Sequence, residues 1–155
     1  FTGNSRLAIL DGVWKWAPGG NASSTSLTLQ GEYFRRLESG TLVYDGGGQA
    51  LADSFRAAQS GWYAQAVYKF LPAWRVGLRY DRLSMGNVDA ASNTGNLYLP
   101  SYSPNRTTLM FDWSPSEYSR VRLQLAQDRA RYGLTDNQVM IQYQMSLGTH
   151  GAHGF

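Results

Sequence analysis

One eight-residue stretch shows the dominant pattern of the chain: Trp74-Arg75-Val76-Gly77-Leu78-Arg79-Tyr80-Asp81. Its even positions are Trp, Val, Leu and Tyr, and its odd positions are Arg, Gly, Arg and Asp. Because successive side chains of a β-strand point to opposite faces, a strand here has one apolar face and one ionic face. A helix would mix the two sets around its circumference. The stretch therefore predicts a β-strand.

The same alternation recurs in six further segments: 7–16, 26–36, 61–71, 106–114, 118–131 and 137–148. In 137–148, for example, Val139, Ile141 and Tyr143 alternate with amide and hydroxyl side chains. Seven strands separated by turn-rich segments predict an all-β fold, an antiparallel up-and-down meander.

The connections between these strands alternate in length. Residues 17–25, 71–73 and 114–117 are short and each contains a proline, whereas 37–60 and 84–105 are long and rich in Gly, Ser, Asn and Asp. Outer-membrane barrels have short periplasmic turns and longer extracellular loops. We therefore expect a transmembrane β-barrel in which the short segments are periplasmic turns and the long ones are extracellular loops.

Aromatic residues collect next to the short turns. Trp and Tyr favour the membrane–water interface, because the ring is apolar and its N–H or O–H needs a polar partner. We expect an aromatic girdle formed by Trp14, Trp16, Phe70, Trp74, Trp113 and Tyr118.

Composition limits the alternatives. Charged residues are only 16% of the 155 residues, against a usual value of about 25%, and aromatic residues are 14%. No apolar run approaches the roughly 18 residues of a transmembrane helix, and the absence of cysteine excludes disulfide scaffolds and thiolate sites. The net charge of +3 comes from scattered basic residues, which does not favour nucleic-acid binding. The remaining alternative is a soluble antiparallel barrel or sandwich.

The strand count bears on completeness. Bacterial single-chain barrels have an even number of strands, and seven is odd. Either one strand lies within 37–60, with Gly40-Thr41-Leu42-Val43-Tyr44 as the best candidate, or the chain is the C-terminal portion of a larger barrel, which we favour. Residues 49–58 are compatible with a short helix, either within the extracellular loop or folded into the lumen. Phe155 on an alternating terminal strand looks like an outer-membrane assembly signal.

Charged residues on the polar face are the candidate functional residues. They are expected to face the lumen, and they are Asp11, Lys15, Glu32, Arg36, Lys69, Arg75, Arg79, Asp81, Asp112, Arg120, Arg122 and Asp128. One interpretation is a pore lining that selects ions or solutes. The other is a cross-strand charge ladder that stabilises the wall and avoids like-charged neighbours. Seven of these residues are basic and five are acidic. The set Arg75, Arg79, Arg120 and Arg122 lies near one rim or mid-wall and predicts a mild preference for anionic solutes if the lumen is wet.

The sequence offers little for catalysis or metal binding. The only histidines are His150 and His153, which are weak metal candidates because positions three apart on a strand face opposite sides. No Ser-His-Asp spacing is readable, so we expect neither an enzyme nor a cofactor.

Several stretches together carry a resemblance, among them Trp14-Lys-Trp-Ala-Pro-Gly-Gly20, Leu29-Gln-Gly-Glu-Tyr-Phe-Arg-Arg36, Asp112-Trp-Ser-Pro-Ser-Glu117 and the C-terminal run from Met145 to Phe155. The chain resembles the C-terminal part of a family of proteobacterial outer-membrane proteins described as porin-like, or as TonB-dependent-receptor-like and zinc-regulated. The resemblance implies a location in the Gram-negative outer membrane, further strands before Phe1, and a role in solute transport.

The functional expectation is a porin-like channel wall that passes small solutes or ions by diffusion, with metal uptake as one option. The alternative is a structural or docking barrel with a plugged lumen; a third hypothesis is a soluble lipid-binding barrel. Expected partners are outer-membrane lipid, the barrel-assembly machinery, the transported solutes or ions, and an additional chain or N-terminal strands that complete the barrel. No nucleic-acid partner is expected.

Overall fold

A computed structural model of the protein describes residues 1–97 and 102–147. The strands are β1 Thr2–Trp16, β2 Ser26–Tyr44, β3 Leu51–Leu71, β4 Trp74–Leu83, β5 Asn87–Asp89, β6 Asn105–Ser116, β7 Ser119–Arg129 and β8 Asp136–Met145. Two short 3₁₀ segments, Pro18–Gly20 and Ala91–Asn96, lie in connections. Among the residues described, no helix is long and apolar enough to cross a membrane.

The strands form one antiparallel sheet in the order β1-β2-β3-β4-β6-β7-β8, and β5 pairs with β3 beyond the end of β4. Strand neighbours are therefore sequence neighbours, which confirms the predicted all-β antiparallel meander. The sheet is not closed into a barrel. Within the described ranges, β1 is paired only with β2 and β8 only with β7.

Residues 37–60 are the main correction to the predicted elements. They were expected to form a long loop, but residues 37–44 continue β2, residues 51–60 begin β3, and the two segments pair from Leu37↔Ala58 to Tyr44↔Leu51. They add no separate strand, and the helix considered for 49–58 is absent because β3 starts at Leu51. We call the paired segments 37–44 and 51–60 the hairpin extension. The eighth strand is instead the three-residue β5, within the connection expected at 84–105.

The other boundaries differ by a few residues. The second and third short turns are 72–73 and 117–118 rather than 71–73 and 114–117, since β3 and β6 run further than the prolines suggest. The first short connection lies at 17–25 as expected. Because all pairs are antiparallel, the three short connections share one end of the sheet, which we call the short-turn end.

The two faces of the sheet differ in exposure. Along β6, Thr108, Met110 and Asp112 are at most 9% exposed. The alternating residues Phe111 and Trp113 are about 40% exposed. Side chains crowd together on the concave side of a curved sheet and spread apart on the convex side. We therefore call the face with Asp112 the inner face and the face with Trp113 the outer face.

Two neighbouring rows of the outer face are apolar across the whole sheet. Direct cross-strand pairs place one row of residues side by side: Trp14, Leu29, Ala66, Leu78, Leu109, Leu125 and Val139. The next row toward the short-turn end is Trp16, Leu27, Tyr68, Val76, Phe111, Leu123 and Ile141. The single-layer sheet thus exposes these apolar rows on its outer face and gathers most of its charged side chains on its inner face.

The alternation changes phase in β3 over residues 54–57 of the hairpin extension, although the pairing with β2 has no register shift there. Phe55 and Ala57 lie on the inner face, where the Phe55 ring meets Phe1 edge-on at 5.4 Å between centroids. Ser54 and Arg56 lie on the outer face and are exposed. Because of this local change of phase, period-two alternation alone places the start of the strand near residue 61.

A tight turn joins β4 to β5. Gly86 has a φ of 77°, and a Cβ there would lie 2.6 Å from the Ala58 carbonyl oxygen. Only glycine combines this left-handed conformation with so close a backbone approach. The turn lets β5 resume pairing with β3, and Ser84 N–H bonds the Ser60 carbonyl on the way.

Candidate functional site

The strand register gathers the predicted charged residues on one face. All twelve of the candidates from Asp11 to Asp128 alternate in phase with Asp112 and therefore lie on the inner face. The inner face also carries charged residues that the sequence analysis did not single out: Glu38, Asp53, Arg106 and Asp136. We call this surface the inner charged face.

Asp112 forms the most buried ionic contact of the inner charged face. Its carboxylate is 1% exposed and accepts two hydrogen bonds from Arg122, from Nε at 2.7 Å and from Nη2 at 2.8 Å. Arg120 Nη1 lies 3.8 Å from Asp112 Oδ2. Two-point contact with a guanidinium fixes geometry as well as charge, so Asp112 orients Arg122, while Arg120 is close enough for a weaker ion pair.

Arg79 lies at the centre of a second cluster. It donates from Nε and Nη2 to Asp81 at 2.9 and 2.6 Å, and its guanidinium carbon lies 3.7 Å from the centroid of the Tyr63 ring. Gln30 Nε2 donates to the Tyr63 hydroxyl at 2.9 Å. The ion pair and the cation–π contact together hold the guanidinium flat against the wall.

Arg106 is one of the four inner-face charged residues that the sequence analysis missed, and it makes contacts across three strands. Its Nη1 lies 3.4 Å from Asp128 Oδ2 and its Nη2 donates to Gln138 Oε1 at 3.0 Å, so it links β6, β7 and β8. The signal was present, because Arg106 alternates in phase with Thr108 and Asp112. It was overlooked because it is the first residue of the predicted strand 106–114.

The charges are segregated along the strands. One row near the short-turn end contains Lys69, Arg75, Asp112 and Arg122. Arg120 lies two residues closer to that end on β7. The row of Tyr63 contains five acidic residues and one arginine: Asp11, Glu32, Asp81, Asp128, Asp136 and Arg106. Lys69 and Tyr63 are six positions apart on β3, which is about 20 Å at the usual rise.

Like charges face each other directly at three places. Lys69 is paired with Arg75, Asp11 with Glu32, and Asp128 with Asp136. Directly opposed like charges destabilise a sheet. A purely structural ladder therefore does not account for the inner charged face, although the Asp112 and Arg106 contacts fit one.

Two cavities open on this face. One of about 430 Å³ is lined by Arg79, Arg106, Thr108, Gln124 and Met140 among others. The other, of about 480 Å³, lies at the short-turn end and is lined by Lys69, Arg75, Glu117, Arg120 and Gln144 among others. Both combine charged groups of opposite sign with amides, as a surface in contact with water and small ions does.

Three residues of the predicted aromatic girdle, Phe70, Trp74 and Trp113, lie on the outer face at the short-turn end. Trp16 lies one row further from that end and Trp14 two rows further, in the row of Leu78. Tyr118 lies in the turn 117–118 and lines the cavity at that end. Trp74 and Trp113 are directly paired and stack with centroids 6.0 Å apart, and both are exposed, as are Trp14, Trp16, Phe70 and Tyr118. A second aromatic row at the opposite level was not predicted. Tyr33 and Trp62 are directly paired there, and Trp62 packs on Tyr80 at 5.5 Å.

Hydrogen bonds hold the segment Ala91–Asn96 against the hairpin extension. Asn93 is fully buried and donates from Nδ2 to the Leu51 carbonyl at 3.1 Å. The Asp53 carboxylate accepts hydrogen bonds from the Ser92 hydroxyl and the N–H groups of Ser54 and Ser92. These bonds, with the Ser92 hydroxyl contributing most, lower the pKa of Asp53 below its ordinary value of 3.8.

The hydrogen bonds between Asp53 and Ser92 should weaken at acidic pH. Because the pKa of Asp53 is lower in the folded protein, the carboxylate's contribution is complete above about pH 3.8 and is lost as the pH falls through the folded value. We expect the Ser92 amide to lose hydrogen-exchange protection, corrected for intrinsic rates, over that acidic range. Asp53→Asn should show weaker protection already at neutral pH and no such acid transition. An unchanged transition in Asp53→Asn would contradict the assignment.

Some predicted residues lie outside the described ranges. They are the metal candidates His150 and His153 and the assembly-signal candidate Phe155. Within residues 1–97 and 102–147, no group of three or more metal-ligating side chains comes together.

The fold and the inner charged face define an all-β protein with one open antiparallel sheet. No family model matches the chain. The chain is 33% identical over 161 aligned residues to an uncharacterized protein of Aquifex aeolicus, and the alignment covers 100% of this chain and 32% of that protein. The chain thus spans about a third of the length of this relative. No solved structure matches it.

Proposed function

We propose that the chain forms part of the wall of an outer-membrane β-barrel through which small ions and solutes diffuse. The observation that carries this proposal is the inverted polarity of the sheet: Leu78 and Trp113 are exposed on its outer face while Asp112 is buried on its inner face. An apolar outside and a charged inside are favourable where the outside is lipid and the inside is water.

Strand dimensions support this proposal. β4, β6, β7 and β8 have 10, 12, 11 and 10 residues, and a tilted membrane-spanning strand needs about 9–11. The two aromatic rows, represented by Phe70 and Trp62, are about 26 Å apart along β3, or about 20 Å in depth at the usual tilt. We call the outer-face residues between these rows, inclusive, the apolar band.

The open edges support a larger barrel. A membrane-spanning sheet leaves no strand edge facing lipid, because unpaired backbone groups there cost several kcal/mol each. Further strands or a second chain would have to pair with β1 and β8. The Aquifex relative, of which this chain covers 32%, is long enough to supply such strands.

The inner charged face supports a conducting role over a structural one. The three direct like-charge pairs are costly for a scaffold, but they create a basic row and an acidic row that a solute passing along the wall would meet in turn. At physiological salt the screening length is about 8 Å, so rows about 20 Å apart act on ions separately. A plugged barrel would not need this arrangement.

These charges change the expected selectivity. The anion preference expected from seven basic and five acidic residues loses its basis once Glu38, Asp53, Arg106 and Asp136 are added, since the inner face then carries eight charges of each sign. We expect weak selectivity but an asymmetric current–voltage curve, because the basic and acidic rows lie toward opposite ends.

The test uses the full-length protein in liposomes and planar bilayers. We expect liposome swelling in small sugars, and rectification that fades near 1 M salt, where the screening length falls to about 3 Å. Neutralising Asp81 and Asp128 together as Asn should reduce the rectification, whereas Gln144→Lys adds positive charge at the basic end and should increase it. Inserted protein that neither swells liposomes nor conducts would overturn the proposal in favour of a plugged barrel.

A further inference from the structure

Most arginines of the described strands differ in their contacts according to the face they occupy; the exceptions are Arg75, which is on the inner face without an ion pair, and Arg56, which is on the outer face opposite Asp89. On the inner charged face, Arg79, Arg106 and Arg122 each contact an aspartate. On the outer face, Arg6, Arg35, Arg82 and Arg129 are exposed, and none of them forms an ion pair with any residue that the structure describes. We call these four residues the arginine belt.

The belt lies at one level of the sheet. Arg82 and Arg129 are in the same cross-strand row as Trp62, the last row of the apolar band. Arg35 is one row beyond it, paired with Ala8 and Ser60, and Arg6 is one row further, paired with Leu37. The belt therefore begins where the apolar band ends and lies within about 13 Å of it along the strands.

Acidic residues are nearly absent from this face. Within the described strands, the outer face carries one carboxylate, Asp89 of β5, which lies further from the apolar band and opposite Arg56. Sixteen charged residues stay on the inner face with their signs balanced, so the outer excess of positive charge is specific to this level. These guanidinium groups are charged and lie beside an apolar surface, so anions outside the chain are favourable partners for them.

We propose that the arginine belt binds the anionic phosphate headgroups of the bilayer leaflet at the end away from the short turns. This inference rests on the proposed membrane location. The headgroups of that leaflet begin where the hydrocarbon ends, which is the level of the belt. Guanidinium groups contact phosphate through two parallel hydrogen bonds, and their aliphatic stems pack on the apolar surface beneath.

The test compares matched double variants of the full-length protein in nanodiscs of phosphatidylcholine, with and without phosphatidylglycerol or lipid A. Arg35→Gln/Arg82→Gln removes two belt residues, and Arg36→Gln/Arg75→Gln removes two inner arginines from the same strands, β2 and β4. The readout is the thermal unfolding midpoint. We expect the wild type and the inner variant to melt higher in the anionic nanodiscs, and the belt variant to lose at least half of that gain.

Several outcomes would overturn the inference. One is an equal lipid-dependent rise of the unfolding midpoint in all three proteins, and another is an equal loss of that rise in both variants. A third is the same rise produced by inorganic phosphate in phosphatidylcholine nanodiscs, which would indicate a site for free phosphate. A belt variant that changes the number of copies per particle without changing the lipid response would make this face a subunit interface. Failure of the wild type to insert into any bilayer would instead refute the proposed function.

Discussion

Replacing Leu78 with Arg should destabilise the protein in lipid vesicles by about 2–4 kcal/mol, the cost of an arginine on the lipid side near the bilayer midplane. Leu78 lies on the outer face between Ala66 and Leu109, in the middle of the apolar band, and is 53% exposed. In water, the same substitution at so exposed a position would change stability by about 0.5 kcal/mol or less. Urea unfolding in vesicles measures the difference.

Gln124→Arg is the matched control for Leu78→Arg. Gln124 is on the inner face between Met110 and Met140, where it lines the cavity of about 430 Å³. A long cation there reaches water, so we expect a change below about 1 kcal/mol. Equal costs for the two variants would show that lipid does not cover the outer face.

The second large effect is expected from Asp112→Leu. This substitution leaves Arg120 and Arg122 without their shared carboxylate while Arg75 lies directly opposite position 112. Breaking a buried ion pair by removing one partner costs about 3–5 kcal/mol. We expect a loss in that range in the same vesicle unfolding experiment.

Asp81→Leu provides the comparison for Asp112→Leu. Arg79 and Asp81 are 38% and 32% exposed, so solvent screens their ion pair and its removal should cost about 1 kcal/mol or less. A similar cost for the two variants would mean that burial does not strengthen the Asp112 contact. Recovery of stability in Asp112→Leu/Arg122→Met would confirm that the cost arises from uncompensated charge.

Much of the fold was predictable because period-two alternation is a local property. Trp74 to Asp81 is sufficient to define a strand and assign its faces, and the antiparallel register then brings the apolar set of every predicted strand to one side. The same reasoning placed the charged candidates together, because side-chain direction follows from sequence parity alone.

The hairpin extension was not predictable in the same way. Its strands keep their pairing, but over residues 54–57 of β3 the apolar side chains lie on the inner face, and period-two alternation takes that change of phase for the end of a strand. The pairings within the site were also inaccessible. Parity places Asp112 and Arg122 on one face, but the choice of Arg122 rather than Arg75 as its two-point partner depends on side-chain geometry.

The neighbour-only order of the sheet has a kinetic consequence. Each strand pairs with one that is close in sequence, so the sheet can grow one hairpin at a time, and two-residue turns such as 72–73 and 117–118 cost little chain entropy to close. The slow step should be the pairing of β4 with β6, which must close the connection from Ser84 to Pro104. Formation of β1–β4 and of β6–β8 as separate nuclei, joined late at this seam, is the assembly route that the topology favours.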